Sequence, residues 1–235
     1  MSIRVVSFDI WNTLMDLNKF YKVLSVKLSS FVKRDYEEIY RNILATYGEA
    51  LRKRLLGDFR RIIIDSANFF SEKLGVDPET LFRALVSSLG DEEVRYLVYD
   101  DVPDTLERLR RRGLKIACIG NVMFWPGMVT RYLMHINGIL DYFNATIFSD
   151  EVGLMKPGKE IFDYLSRRLN VDLSEVVHVG DSLEYDLAGS ALSGVASVLI
   201  KRDLNTDIVR LSRTAYVIRR LTYLEKVIDE LSRLS

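Results

Sequence analysis

The sequence predicts an α/β protein, a doubly wound parallel sheet interrupted after its first strand by an all-helical insertion. Three observations predict it. Short, nearly continuous apolar runs recur at residues 3–8, 114–119, 145–148, 176–179, 195–200 and 215–218, and hydrophobicity without polar alternation suits strands buried on both faces of a parallel sheet. Helical patterns separate most of these runs. That alternation breaks once, over residues 17–99, where helical periodicity continues with no convincing strand.

The first run, 3–8, starts without the basic segment, long apolar stretch and cleavage site of a secretory leader, so none is expected. The insertion follows, with expected helix stops at Gly48, Gly57, Gly75 and Gly90. Asp77-Pro78 has the form of an N-cap with proline at the first helical position, and Asp91-Glu92 can open another short helix. About four helices are expected there. Beyond it, helical patterns run over 103–112 with Gly113 as stop, then 126–136, 158–169, 183–193 and a last amphipathic stretch, 223–234. The expected division is a core of residues 1–16 and 100–235 and a helical module of 17–99.

Composition narrows the function classes. Thirty-three basic side chains balance thirty-three acidic ones, so no global field steers the protein to nucleic acid or an anionic membrane, and neither is an expected partner. No run is long and apolar enough to span a bilayer. The single cysteine, Cys118, rules out an internal disulfide and a thiolate metal cage and fits a reducing compartment. A cytoplasmic monomer or homodimer is expected.

Ligands of open parallel sheets bind beyond the carboxyl ends of the strands, so the residues just after each strand carry the information. Phe8-Asp9-Ile10-Trp11-Asn12-Thr13-Leu14 sets a carboxylate after the first strand. Gly120-Asn121 follows the second, where glycine permits close approach and consecutive amides can face an anion. In Gly153-Leu154-Met155-Lys156-Pro157-Gly158 a lysine precedes a proline and a helix, placed to meet a phosphate near a helix amino end. Val179-Gly180-Asp181-Ser182-Leu183-Glu184-Tyr185-Asp186 sets acidic groups after another strand. Clustered carboxylates repel unless a proton or cation separates them, so a hard divalent metal with oxygen ligands is the natural occupant. Alone, an Asp at a strand end is usually a turn or cap, a glycine pair a plain turn, and a lysine solvated surface charge.

Taken in order, the four elements resemble the motifs of the haloacid dehalogenase superfamily. The resemblance covers essentially the whole chain, because the insertion is similar to that family's helical cap domain on a Rossmann-like core. It implies that Asp9 is the nucleophile of a covalent aspartyl intermediate, and that Asp9, Asp181, Asp186 and the Trp11 carbonyl oxygen hold Mg2+. It implies that Lys156 neutralises charge between nucleophile and substrate, and that Gly120 and Asn121 bind the phosphate. The implied activity is a Mg2+-dependent phosphohydrolase acting on a small phosphorylated metabolite.

Two positions depart from the family's phosphatases. Trp11 stands where a second Asp usually acts as general acid and base, a role worth ~10²–10⁴-fold. Gly120 replaces the Ser or Thr of the second motif. Trp11 raises a 2-haloacid dehalogenase-like alternative, since a halide leaves without protonation. Asp181 and Leu183, where dehalogenases tend to carry Ser and Asn, lower it. Loss of both groups also permits a non-catalytic binding protein on the same fold.

Other features receive structural readings. His178 within its apolar strand and His135 in a helical run are read as structural histidines without an obvious partner. Phe124-Trp125-Pro126-Gly127 is read mainly as packing, and Arg108, Arg110, Arg111 and Arg112 as a solvated helix face. Most aromatics of the insertion, Phe20, Tyr21, Phe31, Tyr36, Tyr40, Tyr47, Phe59, Phe69 and Phe70, should fill its own core, some of them facing substrate.

Overall fold

The computed structural model describes residues 2–233; Met1, at the start of the expected core, and Leu234 and Ser235, at its end, lie outside the described residues. In chain order the elements are β1 (Val5–Phe8), α1 (Leu17–Val32), α2 (Tyr36–Leu55), α3 (Ile62–Leu74), α4 (Pro78–Leu89), α5 (Val102–Arg111), β2 (Lys115–Gly120) and α6 (Gly127–Ile136). They continue with β3 (Ala145–Phe148), α7 (Ser149–Val152), α8 (Lys159–Leu169), β4 (Val176–Gly180), α9 (Gly189–Leu192), β5 (Ala196–Ile200), β6 (Ile208–Arg210), β7 (Ala215–Ile218) and α10 (Leu224–Arg233).

All seven strands join one sheet in the order β3-β2-β1-β4-β5-β7-β6. Every pairing is parallel except β6 with β7. β1, β2, β4 and β5 are buried along most or all of their length, as their unbroken apolar runs require. On one face, α8 sets Ile161, Phe162, Leu165 and Leu169 against Val5, Ala117, Ile119 and Ile147. The six predicted strands are all present. β6 lies outside the six predicted strands: two half-exposed residues and an exposed Arg210 at the antiparallel sheet edge leave no apolar run to read.

The chain divides into two compact units: Met1–Met15, Val98–Asn121 and Gly138–Ser235 carry the sheet, and Asp16–Leu97 with Val122–Asn137 form the helical unit. The expected helical module of 17–99 therefore differs by the segment Val122–Asn137, which packs with the helices. Phe124 meets Phe70 at 4.5 Å between ring centroids, and Trp125 meets Phe20 edge-on at 5.2 Å. Asn137 ties the segment down by donating to Val94 O and accepting from the Leu97 amide.

Within the helical unit Asp16, Asp35 and Asp77 cap α1, α2 and α4, each side chain accepting from the amide three residues on. Pro78 occupies the first turn of α4, and a 3-10 turn, Glu92–Tyr96, follows the Asp91 cap. Gly75 ends α3 in the left-handed region at φ 64°. Gly48, expected as a stop, lies inside α2 with nothing within 4 Å of where a Cβ would stand. One glycine costs an exposed helix only ~1 kcal/mol, too little to end a twenty-residue helix capped at its start. Among the described residues no helix is long and apolar enough to cross a membrane.

Candidate active site

β1 and β4 are neighbours at the place where the strand order reverses, the usual ligand site of an open α/β sheet. Asp9 leaves the end of β1 and Asp181 the end of β4. The Asp9 amide donates to Val179 O at 2.8 Å, so the extended ladder fixes the backbone of the candidate nucleophile. The next residues turn tightly, Leu14 and Met15 amides both reaching Ile10 O and Asn12 taking φ 61°. Arg202 holds this turn from behind, its Nη2 donating to Thr13 O at 2.9 Å and its Nη1 to both oxygens of buried Asp101. Neither Arg202 nor Asp101 was singled out in the sequence, where nothing marks a residue in a loop after β5 as reaching a loop after β1.

Lys156 lies at the centre. Its side chain is 1 % exposed, and Nζ donates to Asp9 Oδ1 at 2.7 Å and to Asp186 Oδ1 at 2.6 Å. Asn121 clasps its backbone, Nδ2 donating to Lys156 O and Oδ1 accepting from Lys156 N. The Asn121 side chain is thus committed to placing Lys156, and its backbone amide remains as the group to offer an anion. Asp186 Oδ2 accepts from the Ser182 amide at 3.0 Å, folding the carboxylate back over Gly180. A Cβ at Gly180 would stand 2.1 Å from Asp186 Cγ, so only glycine admits this packing.

The helix expected over 183–193 is instead a π-wound turn, Leu183–Ala188, followed by α9. Its cause is local: Leu187 N reaches back five residues to Ser182 O, while the Ser182 hydroxyl accepts from Tyr185 N. Such single π turns often sit at functional sites because they re-aim one side chain, here Asp186.

The sequence offers His178 no obvious partner, and the structure supplies two. Its Nε2 lies 3.1 Å from Asp186 Oδ1 and its Nδ1 2.5 Å from Ser7 Oγ. The pairing is invisible in sequence because it depends on β1 and β4 being adjacent and in register, Ser7 opposite His178. His135 is exposed, as expected for a surface position. Phe124 and Trp125 are buried in packing of the helical unit.

The second-motif glycine has a steric explanation. A Cβ on Gly120 would meet Cδ1 and Cε1 of Phe148 at 2.8 Å, so the ring occupies the space that a serine or threonine there would need.

The electrostatics follow from burial. Burial pushes Asp9 up to about 6, with Lys156 opposing and Asp186 reinforcing. Asp181 rises to about 7, chiefly by burial and then by the charges of Asp9 and Asp186. For Asp186, burial favours the protonated form, but Lys156 and His178 outweigh it and hold the carboxyl well below its usual range. Burial pulls the Lys156 ammonium down, and its two carboxylate partners more than restore it. Asp9, Asp181 and Asp186 each offer an oxygen within 4.8 Å of the others. Three carboxylates against one ammonium leave two excess negative charges when all are ionised, which suits a hard divalent cation on oxygen ligands. The residues therefore fit Mg2+.

A mostly parallel sheet in an α/β fold, with a carboxylate, a buried lysine and an acidic cluster at its switch point, is an arrangement suited to a hydrolase. The family model of haloacid dehalogenase-like hydrolases matches residues 3–194, and the chain belongs to that family. It is 34% identical over 140 residues to a glyceraldehyde 3-phosphate phosphatase of Methanopyrus kandleri, spanning 57% of this chain and 58% of that one. It is 27% identical over 207 residues to an (S)-2-haloacid dehalogenase of Pseudomonas sp. strain YL, covering 86% and 84% of the two chains. The solved structure of a HAD phosphatase from Thermococcus onnurineus superposes with a TM-score of 0.64 at 28% identity, covering 97% of this chain and 98% of that one.

Proposed function

We propose that the protein is a Mg2+-dependent phosphohydrolase that acts on a small phosphorylated metabolite in the cytoplasm through an Asp9 aspartyl-phosphate. The observation that carries this reading is the acidic trio of Asp9, Asp181 and Asp186, two of whose members, Asp9 and Asp186, are paired with the buried Lys156. Asp9, Asp181 and Asp186, with the Trp11 carbonyl oxygen, would hold the cation, which when bound supplies charge neutralisation for an incoming phosphoryl group. The free oxygen of Asp9 attacks phosphorus, the bond to the leaving oxygen breaks, and water later hydrolyses the acyl phosphate. Lys156 holds Asp9 in the attacking orientation and offsets charge gathered on the phosphoryl oxygens. The backbone amide of Asn121 serves those oxygens, since the Gly120 position brings no hydroxyl.

Trp11 cannot move a proton at neutral pH, so preferred substrates have leaving groups that need little protonation, such as acyl or aryl phosphates. Hydrolysis of p-nitrophenyl phosphate and acetyl phosphate with and without Mg2+, by wild type and Asp9→Asn, tests the reading. Metal-dependent turnover lost in the variant supports it; a folded wild type inert toward both overturns it. A second reading, a 2-haloacid dehalogenase, is favoured by Trp11 and by the similarity along most of the chain to the Pseudomonas enzyme. Halide release from 2-chloropropionate in chelator would establish that one instead.

A further inference from the structure

We propose that His178 is a positioning residue: held by Ser7, its imidazole fixes Asp186 Oδ1 and thereby the Lys156 ammonium against Asp9. The proposal deepens the phosphohydrolase reading and rests on it for its kinetic consequences only.

The geometry is specific. Asp186 Oδ1 is shared by Lys156 Nζ at 2.6 Å and His178 Nε2 at 3.1 Å, so the imidazole grips the same oxygen that carries the lysine. An ionised carboxylate only accepts, so Nε2 must be the donor. Burial keeps His178 below its ordinary pKa, with Asp186 opposing. In the neutral ring Nδ1 then accepts, and the Ser7 hydroxyl donates to it. Ser7 lies two residues before Asp9, on the same side of β1, so the strut and the nucleophile hang from one strand. Phe162 closes the ring edge-on at 5.3 Å, leaving it little room to rotate. Ser7, His178 and Asp186 are all buried. A histidine that merely filled the core would not need its donor on the oxygen that orients the lysine.

The test separates the two ends of the imidazole. In His178→Gln an amide N–H stands near Nε2 and can still reach Asp186; in His178→Asn the amide stands near Nδ1, keeping Ser7 but abandoning Asp186. Both are neutral buried amides, and a purely structural role would treat them alike. With p-nitrophenyl phosphate and Mg2+, His178→Asn is expected to lose ~10–100-fold in kcat, the range for residues that orient ligating groups. KM should stay near wild type, and His178→Gln should recover most of the loss. Equal kcat in the two variants, or a fall matched by the fraction unfolded in thermal melts, overturns the proposal. A crystal structure of His178→Asn gives an arm independent of activity. The 2.7 Å contact between Lys156 Nζ and Asp9 Oδ1 should open, and an unchanged contact overturns the proposal. If the wild type hydrolyses no phosphate ester, the phosphohydrolase reading falls while this arm still decides the strut.

Discussion

Gly120→Ser looks like a repair, returning to the second motif the hydroxyl that related phosphatases carry, and the structure predicts that it damages the protein. The new Cβ would stand 2.8 Å from two carbons of the Phe148 ring, well inside van der Waals contact. That ring is 1 % exposed and sits directly across the β2–β3 pairing from Gly120, so it has no solvent to retreat into. Overpacking of this kind costs ~1–3 kcal/mol, and at ~2–4 °C per kcal/mol for a chain of this length the melting temperature should fall by roughly 2–12 °C. Phe148→Ala alone removes the ring and leaves a cavity, for ~3–5 kcal/mol. In the double variant the serine enters vacated space, so the combined loss should undershoot the sum of the singles by ~0.5–3 kcal/mol. Urea denaturation of the four proteins, followed by circular dichroism with midpoints and slopes compared, measures that coupling. A Gly120→Ser protein as stable as wild type, or strictly additive losses, would refute the reasoning.

Lys156→Met leaves buried Asp186 and half-buried Asp9 without their shared cation, and should cost ~3–5 kcal/mol of stability to urea when measured in chelator at neutral pH; a loss under 1 kcal/mol would contradict the pairing. The chelated wild type should lose stability as pH rises. Asp9 and Asp181 are raised to about 6 and about 7; buried His178, held below its ordinary range, acts the other way, but two carboxyls outweigh one imidazole, so between pH 4 and 7 the folded state holds more protons than the unfolded chain and the slope is negative. Melting temperatures at pH 5 and pH 8 in chelator should differ in that direction and converge when Mg2+ is added; no difference would sink the claim. Trp11→Asp places a proton-transferring group two residues after the proposed nucleophile, and should raise turnover of alkyl phosphates relative to p-nitrophenyl phosphate by ~10²-fold or more. An unchanged ratio would show that leaving-group protonation does not limit this enzyme.

Much of this architecture is written locally. The buried strands carry unbroken apolar runs, Asp77-Pro78 spells its own cap, and Asp9, Lys156 and Asp181 each follow directly on a strand end or a turn, so short windows suffice to find them. What the windows missed depends on neighbours far away in the chain. His178 acquires its role from Ser7, 171 residues earlier. Gly120 is small because of Phe148 across the sheet. Arg202 steadies the turn after β1 from 189 residues away. The Val122–Asn137 segment reads as part of the alternating core because it lies between two strands, yet Phe124 and Trp125 find their aromatic partners among the helices. β6 has too few residues and too little burial to leave a pattern at all.

The two departures from the phosphatase pattern remove a proton donor and a hydroxyl, but neither touches the charge balance. Trp11 and Gly120 sit beside a set in which Lys156 is already divided between Asp9 and Asp186. For Asp181, the charges of Lys156 and Lys201 act against burial and two neighbouring carboxylates without reversing the rise. A reaction that displaces halide with a carboxylate needs no third acidic group, and such a group works against it: charge on Asp181 and charge on Asp9 oppose one another, favouring protonation of the nucleophile. With a divalent cation among the three oxygens the same group becomes an asset, because the cation lowers the carboxyl pKa values and keeps Asp9 ionised. The presence of Asp181 therefore supports the proposed phosphoryl chemistry over halide chemistry, and under that proposal Trp11 would act on the choice of leaving group.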